Sequence, residues 1–455
     1  SFSKTSEYKP SPTSTGTITF LIQTKSMNYQ ESLNYLLERL PMFQRVGKAA
    51  IKKDLGNTLQ LLDALGNPHR EFRSIHIAGT NGKGTSAHAL TSVLMAEGHK
   101  TGLYTSPHLK SFTERIRING IEVSEQFVAD FVTRNQLLID QVKPSFFEIT
   151  VVMAFEYFRQ EQVDVAVIET GLGGRLDSTN VIHPLVSLIT MIGYDHMDLL
   201  GDTLDKIAAE KAGIIKAHSP VVIGNNQQDI RYVFEEVARS RKTDIFFCDD
   251  YQVIPVERNL QCNTYSIYKQ GELLFENLKT DITSTYFSYN IPGVLKTLEL
   301  LEKKDWHIDR RTIESGFSQI RSSTGLKGRL QIIGELPLVL ADISHNQPGL
   351  TALFEQLKRE VVGNLHIVFG VVKDKDLSGI LPILPPDASY YWTSSSVPRS
   401  LPADELKAIA EEYGIMGPSF QNVNRAIKEA LKFAEKEDTI VICGSTFVVA
   451  EIDNL

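Results

Sequence analysis

Residues 79–85, Gly-Thr-Asn-Gly-Lys-Gly-Thr, follow an apolar strand-like run at 75–78 directly and open a helix-like run at 86–97. A strand feeding a glycine turn into a helix restricts the fold to a narrow set, because that arrangement is an anion cradle within an α/β layer. Small residues let backbone N–H groups close on a phosphate, the helix N-terminus adds positive potential, and Lys83 adds a full charge. The sequence therefore predicts that Gly79, Thr80, Asn81, Gly82, Lys83, Gly84 and Thr85 hold the phosphates of a nucleoside triphosphate. The common phosphate-loop spacing would put glycine at position 77 and Ser or Thr straight after the lysine. This chain has Ile77, and Gly84 before Thr85. The alternative is an ordinary tight turn with Lys83 in solvent.

At 455 residues the chain exceeds one ordinary hydrophobic core, which predicts two domains. A net charge of −8, from 47 basic against 55 acidic residues, gives no footprint for nucleic acid or an anionic membrane. Anionic ligands must then be held by local sites. The three cysteines, Cys248, Cys262 and Cys443, are far apart and lack metal-pair spacing, so they read as buried, inert thiols in a reducing compartment. No uninterrupted apolar stretch approaches the roughly 20 residues that span a bilayer, and no secretory signal pattern opens the chain. The expectation is a cytoplasmic protein. Residues 1–26 are Ser/Thr-rich with one acid, Glu7, and no arginine, which predicts a disordered leader or a cloning remnant rather than a transit peptide, with Met27 as a natural start.

Leu33, Leu36, Leu37 and Leu40 recur at helical spacing, and 55–65 gives a second helix. Apolar strands then alternate with helices: strands at 75–78, 102–105, 163–170, 185–192 and 221–224, helices at 86–97, 124–142, 150–160 and 204–215. Near-continuous apolar strands between helices imply a parallel sheet covered on both faces. From 246 to 282 short alternating runs predict a peripheral antiparallel patch. After a helix at 290–303, the small and flexible residues at 322–328 mark a boundary. The α/β alternation then restarts with strands at 338–343, 365–372, 390–393 and 439–443 and helices at 349–361, 403–413 and 424–436. The fold class is α/β: a phosphate-loop ATPase domain with a parallel sheet (27–324), a linker (325–330) and a smaller Rossmann-like, doubly wound C-terminal domain (331–455).

Polar clusters stand where these strands end. Glu169 closes an apolar strand and precedes Gly171, Gly173 and Gly174, a position where open parallel sheets place ligand groups and where a hard oxygen suits Mg²⁺ beside a triphosphate. The bland reading is a capping acid. The next strand ends in Tyr194-Asp195-His196-Met197-Asp198, so His196 reads as a metal ligand or base, or as a hydrogen-bonded loop histidine. Lys211 lies among acids on a mostly apolar helix, as a functional amine or a solvated one. Ser106 offers an oxygen to metal, and Arg115 and Arg117 either hold a carboxylate or phosphate or line an exposed hairpin. In the second domain Asp342, His345 and Asn346 point to a cleft, against the alternative of a helix cap with a bystander histidine.

Taken in order, the variant loop with Gly84, the segment from Tyr104 to His108, Glu169 with Gly-Leu-Gly-Gly-Arg-Leu-Asp-Ser-Thr-Asn, Asp195-His196 before Leu200-Gly201, and Lys211-Ala-Gly-Ile-Ile-Lys resemble the Mur ligase superfamily, specifically its folylpolyglutamate synthase and dihydrofolate synthase branch. The resemblance runs from about Asn28 to the C-terminus. It implies ATP and Mg²⁺, with Ser106 and Glu169 on one metal ion and Glu169 and His196 on a second. It further implies that Lys211 carries a carbamate serving the second metal, that Asn290 and Arg329 contact ATP, and that Asp342, His345 and Lys375 face the cleft from the second domain. The chain departs from the family pattern at Ile343 and Ser344, which replace Gly-Ala, and at Pro348, which comes one residue late.

The chemistry so implied is an ATP-dependent ligation of L-glutamate to the carboxylate of a reduced folate or of dihydropteroate, through an acyl phosphate, with Lys83, Glu169, His196 and Lys211 as the catalytic groups. The expected partners are these small molecules, with no nucleic acid and no membrane, and the expected state is a monomer. Two other readings stay open: a related ligase acting on another carboxylate acceptor, and a nucleotide-driven switch. A uridine-sugar acceptor would need an N-terminal domain for which 27–73 leaves little room, and no guanine-reading Asn-Lys-x-Asp motif supports the switch.

Overall fold

The computed structural model describes residues 26–42, 54–304 and 306–455, so the expectation for the leader at 1–26 falls outside them save for its last residue. Met27 is half-buried, its amide donating to Thr133 Oγ1 at 3.1 Å.

The larger sheet has eight strands: β1 (Arg73–Ala78), β2 (Thr101–Tyr104), β3 (Ile116–Ile118), β4 (Ile121–Glu122), β5 (Val165–Glu169), β6 (Val186–Ile189), β7 (Val221–Ile223) and β8 (Ile245–Phe247). They run in the order β4-β3-β2-β5-β1-β6-β7-β8, parallel except for the β3–β4 hairpin, which pairs antiparallel to β2. Because successive side chains point to opposite faces, an all-apolar strand can fill two cores at once. Val165 and Val167 join Ile75, Ile77, Leu90, Val93 and Leu298 on one face, while Ala166 and Ile168 join Val128, Phe155 and Phe158 on the other. β1 is central, between β5 and β6. The carboxyl ends of these three strands therefore lie side by side, and they carry the phosphate loop, Glu169 and the segment leading to His196.

The antiparallel patch is a three-stranded sheet, β9 (Tyr251–Arg258), β10 (Asn263–Lys269) and β11 (Glu272–Thr280), whose Tyr265, Ile267, Phe275 and Leu278 extend the first core. Its expected first residues instead form β8, since Phe246 pairs with Val222 at the edge of the large sheet. Helix Ile320–Thr324 takes up part of the stretch expected to be flexible, and left-handed Gly325 (φ +70) ends it.

The second sheet, β12 (Gln331–Glu335), β13 (Leu338–Ala341), β14 (Leu365–Phe369), β15 (Ser389–Thr393), β16 (Ser419–Phe420) and β17 (Thr439–Cys443), runs β12-β13-β17-β14-β15-β16, with only β12 antiparallel. The apolar stripe Leu350, Leu353, Phe354 and Leu357 of helix Gln347–Glu360 is buried against it, as its spacing predicts. Of the cysteines, Cys248 and Cys443 are buried, and burial pushes the Cys248 thiol up to about 12. Cys262 is only half-buried, because it sits in the loop between β9 and β10. Among the described residues no helix is long and apolar enough to cross a membrane.

One buried carboxylate fastens the second sheet at the end remote from the cleft. Asp438 accepts from the amides of Asn364 (2.7 Å) and Glu435 (2.8 Å) and lies 3.2 Å from His366 Nε2. The Glu435 amide, first among these, holds its carboxyl below the usual range. Asp438→Ala is expected to destabilise the protein by about 1–3 kcal/mol, read from urea unfolding, by leaving these donors unpaired. The sign of the pH dependence follows: this contribution is complete above the ordinary carboxylate value and is lost as pH falls through the lower folded one.

Candidate active site

The phosphate loop is held open by its glycines. Gly79 and Gly82 have positive φ (+150 and +89), and a Cβ would lie 1.8 Å from Thr190 Oγ1 at the first and 2.2 Å from Asn290 Oδ1 at the second. No other residue fits either place. The loop is fixed from β6: Thr80 N–H donates to Met191 O (2.8 Å), Thr80 Oγ1 to Gly193 O (3.1 Å) and Thr190 Oγ1 to Asn81 O (2.8 Å). Helix Lys83–Ala96 starts directly after Gly82, so its free N–H groups face the turn. Lys83 is half-buried and donates to Thr80 O (3.2 Å), which replaces the reading of a solvated side chain.

Glu169 ends β5, 5% exposed, with the Ser106 amide donating to its Oε2 (3.1 Å). Gly84, the residue that makes this loop a variant, faces the carboxylate: a Cβ there would lie 3.6 Å from either oxygen of Glu169, an ordinary contact. Burial pushes the Glu169 carboxyl up, against the opposing pull of Lys83, the Ser106 amide and Arg329. A carboxylate buried with so little compensation fits a cation in the cleft.

Lys211 is 4% exposed, and its Nζ donates to Gly79 O at 2.8 Å. The reading of a solvated helix lysine is thereby corrected: Lys211 lies on the buried side of helix Leu204–Ala212, with Ile207 and Ala208. Burial, helped by Lys83, brings its amine down to about 7. His196 has left-handed backbone (φ +50) ahead of helix Met197–Leu200, with Nε2 3.9 Å from Asp195 Oδ1. Burial lowers its imidazole to about 4, which leaves it neutral and able to act as a ligand at pH 7.

Asp195, to which the sequence assigned no role, is where the two sheets' loops meet. Lys375 Nζ donates to its Oδ1 at 2.6 Å, and His345 Nε2 lies 3.3 Å from Oδ2. Beside it, Asn81 of the phosphate loop and Asn346 exchange amide hydrogen bonds at 3.0 and 2.9 Å. Asp342 is buried with both oxygens occupied, by Leu330 N–H (2.8 Å) on one side and Ser344 N–H (2.9 Å) on the other. It shapes the wall that carries His345.

Asn290 Nδ2 and Arg329 Nε are buried without a partner among the described residues and line the same cleft, of about 500 Å³. Arg115 and Arg117 lie on no exposed hairpin. Both are buried, Arg115 donating to His108 Nδ1 (2.7 Å) and Arg117 to Glu114 O (2.6 Å) and Glu122 (3.0 Å).

Among the described residues no three His, Cys, Asp or Glu side chains converge as a finished metal cage. Mg²⁺ does not need one beside a triphosphate, since it keeps waters and phosphate oxygens as ligands and takes one or two protein groups. Glu169, Ser106 and His196 supply a donor set of that kind in one cleft.

Residues 77–294 match the Mur ligase middle domain and residues 328–446 the Mur ligase glutamate ligase domain. The dihydrofolate synthase/folylpolyglutamate synthase of Bacillus subtilis is 32% identical over 440 residues, 93% of this chain and 98% of that protein. The folylpolyglutamate synthase of Mycobacterium tuberculosis, solved with ADP and AMPPCP, superposes with a TM-score of 0.83 at 30% identity, covering 93% of this chain and 98% of that one. The bifunctional folylpolyglutamate synthase/dihydrofolate synthase of Yersinia pestis, complexed with AMPPNP and a Mn ion, gives 0.79 at 27% identity, covering 93% and 97%.

Proposed function

The chain belongs to the Mur ligase superfamily, in its folylpolyglutamate synthase and dihydrofolate synthase branch of ATP-dependent ligases, and we propose that it joins the α-amine of L-glutamate to the carboxylate of a reduced folate or of dihydropteroate. The observation that carries this reading is the meeting of the phosphate loop, Glu169 and the segment leading to His196 at three adjacent strand ends, with Lys211 reaching Gly79 O from its helix and His345 and Lys375 of the second sheet's loops held over them by Asp195.

A carboxylate is a poor acyl donor. In the proposed reaction an acceptor carboxylate oxygen attacks the γ-phosphorus of ATP and ADP leaves, giving an acyl phosphate. The glutamate amine then attacks the acyl carbon, the amide forms, and inorganic phosphate departs with one oxygen of the original carboxylate as the amine loses its proton. The chain's part is alignment and charge. Residues 79–85 hold the phosphates on backbone N–H groups, Lys83 stands at the negative charge that grows during transfer, and Asn290 and Arg329 offer unpartnered donors to the nucleotide. Ser106, Glu169 and His196 would hold Mg²⁺, which supplies neutralisation of the phosphate charge. A Lys211 amine brought down to about 7 is in large part unprotonated near neutral pH, as condensation with CO₂ to a carbamate and a proton requires. We place the domains at 27–324 and 331–455 with 325–330 as linker, and the protein in the cytoplasm as a monomer.

The test is glutamate-dependent ADP release, measured with dihydropteroate and with tetrahydrofolate as acceptors. Acceptor labelled with ¹⁸O in its carboxylate is expected to yield labelled phosphate. Unlabelled phosphate would remove the acyl phosphate, and turnover with neither acceptor would reassign the substrate.

A further inference from the structure

The glycine loop that follows Glu169 does not stand alone. It is docked on the end of the helix that carries Lys211, and the joint is made of contacts that tolerate little change. A Cβ on Gly174 would lie 2.8 Å from Glu210 O and 2.9 Å from Lys211 O, and one on Gly213 would lie 2.4 Å from Arg175 Cα, so backbone meets backbone in both directions. Arg175 N–H donates to Glu210 O at 2.8 Å.

The centre of the joint is Asn180, 7% exposed. Its Nδ2 donates to Arg175 O (3.1 Å) in the loop and to Gly213 O (3.0 Å) just past the helix, so one amide group ties both segments. Its own carbonyl accepts from Lys216 Nζ at 2.7 Å, on the chain leaving the same helix. Its Oδ1 is buried without a partner among the described residues. A group retained at the cost of an unpaired buried oxygen is there for its two donors.

We propose that Asn180 is a positioning residue for the ligation: by clamping the glycine loop to the Lys211 helix it fixes the Lys211 side chain against Gly79 of the phosphate loop, and Lys216 braces the clamp. This rests on the assignment of Lys211 to the catalytic machinery. A displacement of about 1 Å in such a site lowers turnover by roughly 100-fold, so the clamp acts through placement without touching substrate.

Asn180→Asp keeps the shape and removes the two donors. In the full chain it is expected to lower kcat for glutamate-dependent ADP release by roughly 100-fold with KM for ATP within about twofold. It is also expected to give a weaker carbamate signal with ¹³C-labelled bicarbonate in NMR than the one expected of the wild-type protein. An unchanged kcat, or a loss carried wholly by KM for ATP, overturns the proposal. Lys211→Ala is run beside it: retained turnover there refutes the role of Lys211 itself, whereas an inactive Lys211→Ala with a fully active Asn180→Asp refutes only the clamp. If Asn180→Asp fails to fold, Lys216→Met decides: a lowered kcat at constant KM supports the brace, and wild-type kinetics overturn it.

Discussion

Lys83→Ala is expected to reduce glutamate-dependent ADP release by at least about 10³-fold while the thermal midpoint moves little. The kinetic part follows from where charge develops. A preorganised donor aimed at the transferring group is worth about 10²–10³ in rate when it is one uncharged hydrogen bond, and Lys83 adds a full charge at the start of the helix, half-buried and screened from bulk water. The stability part follows from its few contacts: among the described residues Lys83 makes a single hydrogen bond, to Thr80 O. Two neighbours shift with it. Lys83 is among the influences lowering the Lys211 amine and opposing the upward push on Glu169. Its loss therefore returns the Lys211 proton toward its ordinary affinity and makes Glu169 harder to ionise, so both groups drift from the states the reaction uses. Lys83→Arg is not expected to restore the rate, because a planar guanidinium presents its charge in a different geometry from a compact ammonium. Release of ADP by Lys83→Ala at more than about a tenth of the wild-type rate would take the phosphate loop out of the mechanism.

The parts of this site that could be read from the sequence are those whose chemistry is local. Residues 79–85 and 169–180 announce themselves because glycines are packed against a strand end, and the structure shows the steric demand at Gly79, Gly82 and Gly174. The strands were legible because burial on both faces leaves uninterrupted apolar runs. Short edge elements gave no such signal: β12 and β16 are half-exposed, and β8 was absorbed into the antiparallel patch that follows it. The residues around Lys211 left a solvated amine open beside a functional one, because its burial depends on Gly79 arriving from the end of a distant strand. The exposed-hairpin reading of Arg115 and Arg117 fell for the same reason, since their partners His108 and Glu114 come from a 3₁₀ turn and loop whose path no periodicity encodes. Asp195 is the clearest case. It stood in a cluster that the sequence singled out, yet its meaning lies in Lys375 and His345, each more than a hundred residues away.

Asp195→Ala should therefore be among the most damaging substitutions outside the phosphate loop. Asp195 and Lys375 are each 11% exposed, so truncating the acid leaves a largely covered ammonium without its counter-charge, a change that costs less than the about 3–5 kcal/mol of a fully buried pair. Half of the pair belongs to the loop after β6 and half to the loop after β14, so the loss falls on the approach of the second sheet's loops to the phosphate site rather than on either core. The expected result is a drop of roughly 10²–10³-fold in kcat/KM for ATP, with increased proteolysis near Gly325 and Gly328 as the two halves separate more often. The pH sign can be worked out. Burial pushes the Asp195 carboxyl up, but His345, His196 and Lys375 together outweigh it and hold the group far below the ordinary carboxylate range. A depressed folded value means that the stabilisation is complete above the unfolded value near 4 and is lost only as pH falls below it. Between pH 7.5 and 9, above the ordinary histidine range, Asp195 stays ionised and its ion pair with Lys375 is constant, so the ratio of variant to wild-type kcat/KM should be flat across that window. A ratio that changes by tenfold within it would mean that Asp195 acts as a proton carrier in the reaction and not as the tie between the two halves. Asn at this position separates charge from shape: the amide can still accept from Lys375 at one oxygen, so Asp195→Asn should recover the linker's resistance to protease in part while remaining well below wild-type activity, because a neutral acceptor holds an ammonium less firmly than a carboxylate does.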